Sequence, residues 1–180
     1  MQSQEQDISL LIEGCLANNR KAQEQLYRQF YGFAMSIALR YARNEADAAD
    51  IMSLAFVKVF KSLQTYDPQK GSFFAWLKRI VANEGIDHIK SLGKFNPVEI
   101  EEVADPHIDN TAIDRLQAED IMTMVKKLPP ATHAVFILYV TEGHTHKEIA
   151  VKLNISEGTS KWHLSEARKI LKQTLQLHTG

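Results

Sequence analysis

The sequence predicts an all-α protein built as two small helical domains joined by an acidic linker. Three observations carry that expectation. Apolar residues recur with helical spacing along most of the chain, and no stretch alternates apolar and polar residues as a half-buried strand would. Residues 91–120 break the periodicity: they hold Gly93, Pro97, Pro106 and eight acidic side chains, with no sustained repeat before Ala112. Charge is also partitioned, with 11 Lys/Arg against 10 Asp/Glu in residues 1–90, 2 against 8 in residues 91–120, and 8 against 4 in residues 121–180. The division that follows is a near-neutral domain over 1–92, an acidic linker over 93–119 and a basic domain over 120–180. A basic segment set apart in this way suggests contact with nucleic acid.

The composition removes several function classes. With 180 residues, 44% hydrophobic and 24% charged, the chain has enough apolar content to fold and enough length for two small cores. No apolar run approaches the roughly 20 residues of a membrane span. The polar start MQSQEQD lacks the basic-then-apolar order of a secretion signal, so a cytoplasmic protein without membrane insertion is expected. Cys15 is the single cysteine and has no partner for an internal disulfide. His144 and His146 lie in a turn without acidic or Cys partners at ligand spacing. There is no Gly-rich phosphate loop, and no Ser, nor Cys15, has a recognisable base partner. We therefore expect no catalytic residues, no metal and no cofactor.

Element by element, helical spacing covers Ile8–Asn18, Ala22–Arg43 and Glu45–Leu63. On the third, Ala49, Met52, Phe56, Val59, Phe60 and Leu63 form a core stripe. Its opposite face mixes Asp47, Asp50, Lys58 and Lys61 with the apolar Leu54 and Val57. Such a mixture suits docking onto another protein, where apolar groups supply area and charges supply register. A loop with Pro68 and Gly71 then leads to a helix over Ser72–Ser91, with Ser72 as N-cap. Most of Phe73, Phe74, Trp76, Leu77, Ile80 and Val81 are expected in the core. Trp76, Ile80, Asn83, Asp87 and Lys90 share one face and Arg79 lies beside it, giving the aromatic, amide and cationic groups that hold unstacked bases. After the linker come about four shorter helices. Lys147–Leu175 reads as a helix-turn-helix. Ile149, Ala150 and Leu153 face inward, Asn154 takes the left-handed turn position, Ile155 is the buried plug and Ser156 caps the second helix. Leu164, Ala167, Leu171 and Leu175 form its core face. Lys161, Trp162, Ser165, Arg168, Lys169 and Lys172 turn away, a cationic face suited to a major groove.

Leu128–Leu175 resembles region 4 of the extracytoplasmic-function sigma factors. The match runs through Leu128-Pro129-Pro130, Val135-Phe136, Glu142-Gly143, Glu148-Ile149-Ala150, Ile155-Ser156-Glu157-Gly158-Thr159, Lys161, Leu164 and Ala167-Arg168. His133 stands where the family commonly has Arg, and Trp162 where it has a small residue. The resemblance implies that the second helix binds a -35 promoter element through Ser156, Thr159, Lys161, Trp162, Ser165, Arg168, Lys169 and Lys172.

The first domain extends the resemblance. Ala46–Leu63 is similar to region 2.2, which binds the clamp of the polymerase, implying Asp47, Asp50, Leu54, Val57, Lys58 and Lys61 as contacts. It departs at Ser53 and Leu54, where the family usually has a Gln-acid pair. Tyr66–Lys90 is similar to regions 2.3 and 2.4, with its Trp-Leu-x-x-Ile run and its Asn83, Asp87 spacing. This implies a -10 element surface made by Tyr66, Ser72, Phe73, Trp76, Arg79, Asn83, Asp87 and Lys90. There the loop Tyr66–Phe73 captures a flipped base and Asn83 lines the pocket. The resemblance covers about Gln6–Leu175, with both domains in order. It implies a protein that directs core RNA polymerase to promoters and catalyses nothing. The implied partners are core polymerase, through the clamp of its largest subunit and the flap of the second, promoter DNA and an anti-sigma factor. The free protein is expected to be a monomer. A stand-alone helix-turn-helix regulator is the alternative, and it calls for a phosphoacceptor α/β domain or ligand pocket upstream, whereas residues 1–90 show no strand pattern.

Overall fold

Asparagine side chains and left-handed backbone positions punctuate the helices, which occupy most of residues 2–92 and 118–178, the parts described by the computed structural model. The linker predicted over 93–119 lies outside the described residues apart from Ala118 and Glu119, which open a helix instead of closing a linker. The chain clusters into two compact units, residues 1–85 and 86–180. Among the described residues there is no strand.

In the first unit α1 (Gln2–Leu16), α2 (Arg20–Tyr41) and α3 (Glu45–Ser62) follow one another, and two short 3-10 turns (Leu63–Thr65 and Pro68–Lys70) lead to α4 (Phe73–Leu92). The division between the units falls inside α4. Asn18, at φ 57°, ends α1 in the left-handed region that Asn tolerates. Asn19 then caps α2, its Oδ1 accepting from Lys21 N at 3.0 Å and Ala22 N at 3.3 Å. Asn44 caps α3 by accepting from Asp47 N at 2.8 Å, while Asp47 Oδ2 accepts from Arg43 N at 3.3 Å.

The core of this unit is an aromatic and aliphatic seam of Leu26, Phe30, Ile37 and Tyr41 from α2, Ile51, Met52, Phe56 and Val59 from α3, and Phe73, Leu77 and Val81 from α4. Two sequence expectations are corrected here. Ala49 is exposed, and Ala48, Ile51 and Ala55 complete the buried stripe in its place; Phe60 is only half-buried. The alanines at 46, 48 and 49 carry almost no phase information, so the stripe could be drawn one residue out of register.

Gly85 permits the closest helix approach. A Cβ there would stand 2.5 Å from Cγ of Tyr41, a ring with 0% exposure and no room to withdraw. Gly85→Ala therefore overpacks the seam and should destabilise the unit by about 1–3 kcal/mol, read as a lowered urea midpoint with an unchanged slope.

In the second unit α5 (Ala118–Lys126) and α6 (Pro130–Phe136) precede a π-helical turn (Ile137–Thr141), then α7 (His146–Leu153) and α8 (Glu157–His178). Three of these are the short helices expected, but α8 has 22 residues, as long as α2. Its hydrophobic repeat continues to Leu175, so packing supports the helix that far. Thr145 and Glu148 form a capping box at α7: the carboxylate accepts from Thr145 N at 2.8 Å, and Thr145 Oγ1 accepts from Glu148 N at 3.3 Å. The first of these bonds holds the Glu148 carboxyl below its ordinary range. Asn154, at φ 56° and ψ 50°, closes α7, and Ile155 N donates to Ala150 O at 3.0 Å. Ile155 is half-buried and does not form the sealed plug expected of it.

His163 lies 7% exposed under α6, its Nδ1 3.0 Å from the Thr132 hydroxyl. Burial lowers its pKa from 6.5 to about 4. The unfolded chain therefore takes up a proton in that window that the folded chain refuses. Stability from this site is complete above the unfolded value and falls as pH drops from about 6.5 towards 4, by on the order of 2 kcal/mol. Denaturation at pH 7 and pH 4.5 should show that loss in the wild type, and His163→Gln should remove that part of the difference.

Candidate functional site

Three surfaces emerge from these elements. The first is the outward face of α3. Leu54 and Val57 are 55% and 49% exposed, flanked by the exposed Asp50 and Lys61. Asp47 is half-buried and part of the helix cap. Lys58 differs from its neighbours on this face: its Nζ lies 2.5 Å from Oε2 of Glu84, a carboxylate of α4 that is almost wholly buried. Ser53 turns its hydroxyl back onto Ala49 O at 2.8 Å.

The second surface is built on the loop before α4. Asp67 caps the turn Pro68–Lys70 by accepting from Gln69 N at 3.0 Å, and Gly71 takes φ 150°, a conformation that disfavours side chains. The turn closes against Tyr66, whose hydroxyl donates to Gly71 O at 3.3 Å. Ser72 caps α4 as expected, accepting from Ala75 N at 3.3 Å. Tyr66, Asp67, Lys70, Ser72, Trp76 and Arg79 line a cavity of about 180 Å³. The Tyr66 and Trp76 rings are 5.5 Å apart at 56°, so aromatic surface, a carboxylate and two cations converge on one small opening. Such a set can stack a base and hold a phosphate.

Two residues predicted for this surface do not line the cavity. Phe73 is 2% exposed, its ring 4.7 Å from that of Phe30, and belongs to the core. Its apolar ring is more stable against the seam than beside water. Asn83 is exposed one turn beyond Arg79 and is not among the residues lining the cavity. Asp87 is exposed and Lys90 half-buried further along α4.

The third surface is α8. Lys161, Lys169 and Lys172 are exposed, while Trp162, Ser165 and Arg168 are half-buried on the flanks. Leu164, Ala167, Leu171 and Leu175 are buried opposite them, so the amphipathic division read from the sequence is the one adopted. Lys169 is shared weakly with Glu166 at 3.7 Å. Ser156 caps the helix by accepting from Thr159 N at 2.9 Å. Thr159 corrects its predicted role: it is 1% exposed and its hydroxyl meets Ser156 Oγ at 2.8 Å, so it is a capping and packing residue.

His146, considered from the sequence only as a poor metal ligand, joins two elements. Its Nδ1 lies 2.9 Å from Ser160 Oγ, and its ring stacks on Tyr139 at 4.7 Å. This ties α7 and α8 into one unit; the only sequence signal was the polar Ser160 at a core-facing position. Among the described residues, no group of three His, Cys, Asp or Glu side chains converges as a metal site, and no helix is long and apolar enough to cross a membrane.

These surfaces coincide with two family models: residues 26–95 match Sigma-70 region 2, and residues 118–171 match Sigma-70, region 4. The chain belongs to the sigma-70 family. The chain is 29% identical over 163 residues to the ECF RNA polymerase sigma factor SigE of Mycolicibacterium smegmatis, covering 87% of this chain and 63% of that protein. It is 26% identical over 171 residues to the ECF sigma factor SigL of Mycobacterium tuberculosis, covering 92% and 95%. Both likenesses identify it as the extracytoplasmic-function type. Among solved structures it is similar to RpoE of Bartonella quintana, crystallised with the anti-sigma factor NepR, at TM-score 0.51 and 21% identity, covering 86% of this chain and 96% of that one. The chain thus spans under two thirds of the SigE relative and nearly all of the other two.

Proposed function

We propose that the protein binds core RNA polymerase and directs it to promoters, acting as a subunit in the cytoplasm and catalysing nothing itself. The α3 face of Asp50, Leu54, Val57 and Lys61 docks on the polymerase clamp. The Tyr66, Trp76, Arg79 cavity and the exposed Asn83 and Asp87 take the melted -10 strand. The α8 cations take the -35 duplex. The observation that carries this reading is Leu54 and Val57 standing half in water between charges, on the helix that lies inside the matched region 2 segment. Two aliphatic side chains in that setting gain from a protein partner. The RpoE structure contains a bound anti-sigma factor, and a partner of the same kind is proposed here to hold the free protein inactive.

Run-off transcription with purified core polymerase over a genomic promoter library tests this. Protein-dependent transcripts sharing paired upstream elements are expected. Duplex binding by the protein alone, with neither core binding nor transcripts, would establish a stand-alone regulator instead.

A further inference from the structure

The geometry points to Lys58 and Glu84 as a positioning pair that links the polymerase-facing helix to the DNA-facing helix, with Lys58 acting inside the protein and not on the polymerase. The inference rests on the function proposed above and deepens it. Glu84 is 7% exposed, so its carboxylate is nearly stripped of water and is costly to bury without a cation beside it. Lys58 supplies it at 2.5 Å, reaching from the outward face of α3 with its stem half in solvent. The two residues are 26 positions apart, so their meeting fixes how α3 and α4 are placed against each other.

The position of Glu84 on α4 gives the pair its consequence. Asn83 precedes it directly, and Arg79 and Asp87 share the Asn83 face at helical spacing. Gly85 follows it and seats α4 against the Tyr41 ring. With residue 84 held by α3 and residue 85 by α2, the rotation of α4 is determined, and with it the direction in which Arg79 and Asn83 leave the surface. Removing the ammonium leaves a buried carboxylate without its counter-charge, which then turns towards water. That movement shifts the neighbouring residues that meet the strand. Removing the carboxylate is milder, because a half-exposed lysine is readily hydrated. The two ends of the pair are therefore unequal.

That inequality supplies the test. Core affinity is measured by titrating labelled protein with core polymerase. Opening is measured on a forked promoter template, with the ratio between a favoured and a base-substituted -10 sequence as the readout of positioning. Lys58→Met should bind core within about twofold of the wild type, yet open the favoured template about tenfold more slowly and lose most of the sequence ratio. Lys58→Arg should retain both. The double variant Lys58→Met, Glu84→Gln should recover opening and ratio, because no unpaired buried charge remains; this recovery separates positioning from a folding defect. A tenfold loss of core affinity in Lys58→Met that Glu84→Gln does not restore would make Lys58 a polymerase contact and overturn the proposal, as would a variant with wild-type opening and ratio. A wild-type protein that fails to bind core sinks the sigma-factor reading itself, and the control lane shows this independently of any variant.

Discussion

Replacing Leu54 and Val57 together by glutamate should abolish association with core polymerase, a loss on the order of 100-fold or more for two side chains at the centre of a docking face. Both are about half exposed in the free protein, so the change removes little from the fold. In the complex it would place two carboxylates where apolar contact is needed, beside the acidic Asp50. Anisotropy titration against core should show no saturation, while the denaturation midpoint stays within the ordinary range of surface substitutions, about 0.5 kcal/mol. A variant that still bound core tightly would move the docking surface off α3.

The second large effect concerns α8. Substituting alanine for Lys161, Lys169 and Lys172 removes three exposed cations from the helix opposite its buried Leu164, Ala167 and Leu171. If each meets one duplex phosphate, the slope of log affinity against log salt falls by about 2.7, and binding at moderate salt weakens on the order of 100-fold. Binding of an upstream duplex by the reconstituted holoenzyme, measured at several salt concentrations, checks both numbers. An unchanged slope would show that these lysines only solvate the helix.

The helical architecture was legible because apolar spacing is repeated over many turns, and the ends were legible where Asn or Ser caps them. The phase of α3 was less so: an Ala-rich start gives either neighbour the same claim to the core, and only packing put Ala48 inside and Ala49 outside. The candidate surfaces were legible where a residue type is unusual for its side of a helix, as with Leu54, Val57, Trp76 and the α8 lysines. They were not legible where a residue can serve two purposes. Phe73 suits a base-stacking loop and a core equally, and Thr159 suits a groove or a cap; local spacing does not distinguish these. The Lys58–Glu84 and His146–Ser160 contacts join separate elements, and no local pattern announces them.

The sealing of Thr159, Ser160 and His163 inside the second unit separates the side chains that hold the fold from those that face solvent. Substitutions at those three positions meet the stability threshold before they can alter recognition, since each disturbs a buried polar contact. Lys161, Lys169 and Lys172 stand outside that constraint. The exposed cationic face can therefore change with little effect on folding, whereas the buried polar trio cannot.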